Sequence, residues 1–407
     1  DAPVFEAIAY PTILVAKRRT APGKPLDSDT FDAMNWAMGE PVETFPARFA
    51  AEAFVMPQAS LSPAGWQMEP QAERDLLARL RQDTKPLEEW CEGRFYYGIK
   101  TGLNDAFEIC GARKAELIAE DSKSAEVIKP YLRGRDIKRW VPNQADKWLI
   151  FMPWHFPLHD DPSINGASEE AEAQLKLQYP AIYRHLSAYR KKLMDRAQSE
   201  VGVRYEWYAL QRHRPTYWHE FANSKVVIPA IENQCSYAVD RSGFFGNDKT
   251  SMAVTDRPEF LAGILNSSVS WWITKQEFSS KQGGYYEFKP MYVGKLPIPN
   301  ASDIQEAAVT LISTAIIAGA ERPRLESLLN AFVYELFFPE ELAARGLSPF
   351  AAARDAGLDK LAGLEGEALA RAADEWSAQI ADPSTKLYAT LFDLQSIDEV
   401  RIIEGRS

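Results

Sequence analysis

The chain has 407 residues, 46% of them apolar and 25% charged, with 11 Trp, 20 Phe and 16 Tyr. At about 100–200 residues per domain this length suggests two to three domains, and so much apolar and aromatic material excludes disorder as the main state. A net charge of −11 argues, taken alone, against a nucleic-acid partner.

Cys91, Cys110 and Cys235 are odd in number and form no CxxC, so neither a disulfide framework nor a zinc site fits. Buried reduced thiols in a cytoplasmic protein are the expectation. The charge is uneven: residues 1–60 carry 5 basic and 8 acidic side chains, 61–300 carry 32 and 31, and 301–407 carry 9 and 18. The negative excess sits mainly in the tail, and asymmetry of this kind is a partner signal.

The chain opens Asp1-Ala2-Pro3-Val4-Phe5 without Met or a signal-peptide pattern, which suggests a fragment or a processed chain. Residues 4–16 read as a pair of strands ending at Lys17-Arg18-Arg19. A Pro/Gly/Asp loop follows, and the stretch 60–65 is a first boundary. Residues 69–83 read as a helix, with Leu76, Leu77 and Leu80 on one face.

Strands are expected at 95–99, 106–110 and 148–152, and a short helix at 121–129 with Asp121 as its N-cap. Residues 169–198 give the clearest helix. Its stripe of Leu175, Tyr179, Ile182, Leu186, Tyr189 and Leu193 steps by 4, 3, 4, 3, 4, with a kink or restart expected at Pro180. Strands follow at 225–229, 237–239 and 251–254, then a helix at 258–274 and a Gly-containing loop at 279–286. Lys295-Leu296-Pro297-Ile298-Pro299 is a second boundary, beyond which 303–318, 324–337 and 366–380 read as helices. The most apolar stretch, 307–320, is too short to span a bilayer.

No phosphate-binding or nucleophile-elbow signature occurs. His155, His159, Asp160 and Asp161 match no common metal spacing and fit a Pro-rich surface loop better. Glu287-Phe288-Lys289 is half of a nuclease motif without its upstream acid. His213 and His219 suit packing or phosphate contact equally.

Three basic or glycine-bearing loops are stronger candidates. Residues 129–140 hold five cations in a short run; Arg133, Arg135, Lys138 and Arg139 suit phosphate or base-edge contacts, and a solvated charged turn is the competing reading. Residues 281–286 combine Lys281, Gly283, Gly284 and Tyr285, where glycines let the backbone approach a phosphate, or else form a hairpin tip. Lys100, Thr101 and Asn104 supply a cation, a hydroxyl and an amide. Arg190, Lys191, Lys192 and Arg196 are weaker candidates for backbone contact, because a charged helix face is usually just solvated.

The stretches YYGIKTGLNDAFEI (96–109) and IKPYLRGRDIKRW (128–140) resemble the C-terminal specificity domain of TaqI-like adenine DNA methyltransferases, in the version found in type IIG restriction–modification enzymes. YPAIYRHLSAYRKKLMDR (179–196), SKVVIPAI (224–231), FLAGILNSSVSWWITK (260–275), GGYYEFKPMYVGKLPIP (283–299) and LLNAFVYELFFPEEL (328–342) agree in order, so the resemblance covers roughly 60–345.

It implies an α+β chain: a remnant of a methyltransferase core at 1–60, a mixed α/β target recognition domain with a twisted sheet at 61–300, and a helical C-terminal domain at 301–407. The glycine-rich turn for S-adenosylmethionine and the Asn-Pro-Pro-Tyr loop that holds a flipped adenine have no counterpart in this sequence.

The resemblance therefore implies the C-terminal part of a longer polypeptide. It would bind double-stranded DNA for a core, with or without a nuclease domain, elsewhere in the same chain, and would neither methylate nor cleave alone. The expected contacts are Arg133, Arg135, Lys138 and Arg139, with Lys100, Thr101 and Asn104 in one DNA-facing loop and Lys281, Gly283, Gly284 and Tyr285 in another. No catalytic, metal or cofactor residue is expected; S-adenosylmethionine would serve the full-length enzyme. The alternatives are a self-contained methyltransferase or endonuclease with unrecognised motifs, and a helical assembly module using Leu325, Leu328, Leu329, Phe332 and Leu336.

Overall fold

The strand Lys225–Pro229 is buried at all five positions. A strand buried on both faces reads as a continuous apolar run, which Val226-Val227-Ile228 supplies. It lies in an antiparallel sheet ordered Ala238–Asp240, Lys225–Pro229, Thr250–Val254, Phe95–Tyr97. Successive side chains alternate between the faces, so Val226, Ile228, Val239 and Ala253 join one hydrophobic cluster and Val227, Ala238, Met252 and Val254 another. This computed structural model describes residues 13–16, 28–36, 40–61, 66, 68–143 and 145–406.

The first cluster is built largely of helices. Pro258–Leu265 packs on their face of the sheet, Asp303–Ile317 packs on that helix and Arg322–Phe337 on Asp303–Ile317, and the core continues unbroken past residue 300 to Ile403. Leu325, Leu328, Leu329 and Phe332 are buried in it and Leu336 packs at its edge, so the stripe serves internal packing. Ser302 caps Asp303–Ile317 by accepting from the Gln305 N–H, and Gln305 returns the bond, a capping box.

The second cluster is mixed. Its sheet runs Phe245–Gly246, Ile128–Leu132, Trp148–Ile150, Glu108–Ile109, with only the first pair parallel. Leu175, Tyr179, Ile182, Leu186 and Leu193 are buried against it. The architecture is α+β. Among the described residues no helix is long and apolar enough to cross a membrane.

Several elements differ from the sequence reading. The single helix expected at 169–198 is three: Glu169–Gln178, Pro180–Ser187 and Arg190–Asp195. Pro180, which has no N–H to donate, restarts the helix at its first position. The strand expected at 106–110 is instead the short helix Asn104–Phe107 followed by a two-residue strand. The helix expected at 121–129 shrinks to Ser124–Val127, and the longer Gly111–Glu120 precedes it.

The helix expected at 258–274 is broken by Ser267, which caps a second helix, Ser268–Glu277. The loop expected at 279–286 is a hairpin of Ser279–Lys281 and Tyr285–Glu287. Short helices at Pro339–Ala344, Pro349–Asp355, Lys386–Asp393 and Asp398–Ile403 had no periodic signal long enough to read. The strand pair expected at 4–16 and the boundary at 60–65 fall largely outside the described residues. Thr30–Ala33 pairs antiparallel with Phe54–Pro57.

Candidate nucleic-acid interface

The turn at 247–249 sits at one end of the central sheet, where three loops meet. The Gly98 N–H donates to Thr250 O at 3.0 Å and the Ile99 N–H to Gly246 O at 2.8 Å, which brings 100–104 to this end. The Asn247 N–H donates to Leu132 O at 3.0 Å, and a Cβ on Gly134 would lie 2.7 Å from Lys249 O, which brings 133–139 there.

The Ala230 N–H donates to Lys249 O at 3.0 Å, and Ile231–Glu232 pairs with Tyr285–Glu287, which brings the hairpin. The close approaches use glycines for a steric reason: a Cβ on Gly98 would overlap the Asn247 carbonyl oxygen, and one on Gly246 the Thr250 hydroxyl. Backbone hydrogen bonds thus anchor the three basic loops at one end of the sheet, a juxtaposition of residues far apart in sequence.

The predicted residues divide by exposure. Lys100, Asn104, Arg135 and Lys138 are exposed, and neither Lys100, Arg135 nor Lys138 has an ion pair within 4 Å among the described residues. Lys138 faces Glu232, whose carboxyl burial pushes up and Lys138 partly restrains.

Arg133 is half-buried and paired with Glu108, while its backbone N–H donates to Asp136 Oδ2 at 3.0 Å and fixes the turn. Thr101 is buried, its hydroxyl donating to Asn104 Oδ1 at 2.5 Å. Arg139 points inward: its Nε donates to Glu326 Oε1 at 2.8 Å and its Nη atoms to the Cys235 and Asn266 carbonyls at 2.9 and 2.8 Å. Arg196 also points inward, donating to the carbonyls of Thr101, Leu193, Trp207 and Ala209, and burial lowers its pKa to about 10.

Arg190 pairs with Glu172 at 2.8 Å over the Trp207 ring, and Lys191 and Lys192 are exposed. In the hairpin, Lys281 pairs with Glu287 at 3.1 Å, as does Lys289. Burial raises the Glu287 carboxyl, but hydrogen bonds from these lysines outweigh it and hold the pKa below the usual range. Gly283 and Gly284 adopt φ of 81° and 77° at the exposed tip, and Tyr285 is exposed beside them. The glycines are therefore required by the turn itself.

Sequence reasoning missed Lys249, an exposed cation on the central turn, although Gly246-Asn247-Asp248 carried a turn signal. It also missed Arg212, which pairs with Lys100 through two backbone bonds, Lys100 N to Arg212 O at 3.1 Å and Arg212 N to Lys100 O at 2.9 Å, and its neighbour Arg214. The histidines serve the framework. His155 Nδ1 meets the buried Glu206 at 2.9 Å, and His159 stacks on Phe156.

His213 is buried, accepts from the Trp154 N–H at 3.4 Å, and is pushed down to about 4, first by burial and then by His159 and His155. The folded state therefore favours the neutral ring. Its stabilising contribution is complete above the unfolded value of about 6.5 and disappears as pH falls towards 4. Urea unfolding of the wild type should lose about 2–3 kcal/mol more between pH 7 and pH 4 than unfolding of His213→Gln. Equal pH slopes would refute this.

Comparison with known proteins gives a family match over most of the interface. Residues 129–298 match the family of the TaqI-like C-terminal specificity domain. The matched span holds 133–139, the turn at 247–249 and the hairpin, while Lys100 precedes it. No curated protein matches the chain. Among solved structures, the chain is similar to the type IIL restriction–modification enzyme MmeI in complex with DNA, at 12% identity and a TM-score of 0.39 over 74% of this chain. That alignment covers 35% of the MmeI chain.

Proposed function

We propose that the chain is the DNA target-recognition part of a type IIG restriction–modification enzyme, with the sheet end around 247–249 as its DNA-facing surface. The observation that carries this reading is that a specificity-domain match over 129–298 holds most of the place where exposed cations, without an ion pair among the described residues, converge from separate loops. Lys100, Arg135, Lys138 and Lys249 contact phosphates or base edges; Asn104, Gly283, Gly284 and Tyr285 complete the surface. Lys191 and Lys192 flank it. Thr101, Arg133, Arg139 and Arg196 hold the loops from within.

The duplex so oriented is a substrate for adenine methylation with S-adenosylmethionine, by a core in the parent polypeptide that extracts the base from the stack. A region carrying 32 basic and 31 acidic side chains has little long-range attraction for DNA. Binding by this chain alone is therefore weak and steeply dependent on salt. The inward packing of the tail's apolar stripe disfavours an assembly module as its main role.

Fluorescence anisotropy with labelled duplexes over a salt series tests the proposal. Arg135→Ala should weaken binding by about 1–3 kcal/mol if that side chain reads a base. Joint reversal of Lys100, Arg135 and Lys249 to Glu should abolish it. Binding that survives the triple reversal, or that is absent at low salt, would remove this surface as a DNA interface.

A further inference from the structure

Arg214 stands out among the residues around this surface. It is a non-glycine residue in the left-handed region, with φ of 64°, directly before Pro215. A bulky side chain adopts that conformation only where its surroundings impose it, and such positions cluster at ligand sites. Here the surroundings are identifiable. His213 is buried next to it, and Arg212 is tied to Glu200 by bonds of 2.8 and 2.9 Å.

Arg214 itself donates from Nε to Gly98 O at 2.8 Å, and its guanidinium lies over the Tyr97 ring, 5.7 Å from the centroid. Tyr97 is 49% exposed, at the end of the sheet's edge strand. Its backbone carbonyl is braced by the Tyr217 hydroxyl at 3.2 Å, and Tyr217 stacks on Tyr96. The two terminal nitrogens of Arg214 have no partner among the described residues. The side chain is thus hooked at Nε, supported on one face by an aromatic ring, and left with a planar pair of donors.

We infer that Tyr97 and Arg214 form a base-reading plate, on which Arg214 takes a guanine of the recognised duplex. This deepens, and rests on, the reading of the surface as a DNA interface. A fork of parallel N–H donors matches the paired acceptors O6 and N7 of guanine, which no other base presents in the major groove. The bond from Nε to Gly98 O and the cation–π contact with Tyr97 reduce the side-chain freedom that binding must freeze. Gly98, whose carbonyl holds Nε, is the same residue that packs on the 247–249 turn, so the plate is rigidly joined to the loops bearing Lys100 and Lys249.

The test is a selection of bound duplexes from a randomised pool with the 407-residue chain, followed by affinities for the selected site and for a scrambled duplex. Arg214→Ala should lose a fixed guanine from the selected site and weaken specific binding about tenfold or more, with under threefold change on the scrambled duplex. Arg214→Lys can still reach Gly98 O but offers no fork; it should fold like the wild type and show the same loss of guanine. Tyr97→Phe should retain the preference and Tyr97→Leu should weaken it.

An unchanged selected site in Arg214→Lys, or equal losses on both duplexes, overturns the plate while leaving the DNA interface standing. Wild type that enriches no sequence, with binding indifferent to charge reversal at Lys100, Arg135 and Lys249, overturns both.

Discussion

Asp240→Ala should cost the fold about 3–5 kcal/mol, the range for removing one partner of a buried ion pair. Lys225 and Asp240 sit side by side across the central sheet, Nζ to Oδ2 at 2.6 Å, with side chains 1% and 0% exposed. The ammonium also donates to the carbonyls of Phe221 and Asn223 at 2.5 and 3.3 Å, and the carboxylate accepts the backbone N–H groups of Ser242 and Phe244 at 2.8 and 2.9 Å. Without Asp240 the cation keeps only neutral carbonyl partners in a dry site.

The natural relief is loss of its proton, because burial already lowers the Lys225 pKa even with Asp240 in place. A lysine whose folded pKa lies below its unfolded value gains stability as pH rises towards the unfolded value, about 10.4. Urea unfolding of Asp240→Ala should therefore show the full deficit at pH 7 and a partial recovery by pH 10. The double variant Lys225→Met, Asp240→Leu removes the stranded charge but leaves the buried Phe244 N–H unsatisfied, at about 1–3 kcal/mol. It should be more stable than Asp240→Ala and still less stable than wild type. A deficit under 1 kcal/mol at pH 7 would show that water reaches the site.

Lys225 also shows where sequence reasoning stopped. KVVIP was legible as a strand because its apolar run is local, but nothing local marks its lysine as interior; the partner is supplied by antiparallel register fifteen residues on. The candidate loops were legible for the same kind of reason: cations and glycines cluster within a few residues at 133–139 and 281–285. Their convergence was not, since it depends on hydrogen bonds from Ile99 to Gly246 and from Ala230 to Lys249.

The direction of each cation was equally hidden. Arg135 and Arg139 look alike in RGRDIKRW, yet one faces solvent and the other reaches a glutamate 187 residues away. Arg196 looked like part of a charged helix face, but the helix Arg190–Asp195 ends before it, and Arg196 turns inward from extended backbone. The division at residue 300 rested on a Pro pair, which records a change of local structure and carries no information about which core the following helices join.

Glu326 lies where that division matters most. It belongs to the helix Arg322–Phe337, and a single oxygen of its carboxylate accepts from Arg139 Nε at 2.8 Å and from the Trp140 indole N–H at 2.6 Å. Trp140 is wholly buried, and with Arg139 it ends the loop that carries Arg135 and Lys138. The tail thus anchors the loop 133–139 through one side chain. Glu326→Ala removes two hydrogen bonds to a charged acceptor, worth about 1.5–3 kcal/mol each, and leaves Arg139 without its anion; a loss of about 3–5 kcal/mol is expected. Glu326→Gln keeps an acceptor oxygen and should lose roughly half as much.

The consequence for DNA separates positioning from contact. Glu326 bears no charge that could meet a phosphate, so in Glu326→Gln, measured where the variant is still folded, affinity should fall while the slope of log K against log salt stays that of wild type. Lys138→Ala, by contrast, should reduce that slope by about one if Lys138 meets a phosphate. A Glu326→Gln variant with wild-type affinity would mean that the loop keeps its place without the tail's carboxylate, and that the helices after residue 300 support the sheet but not the reading surface.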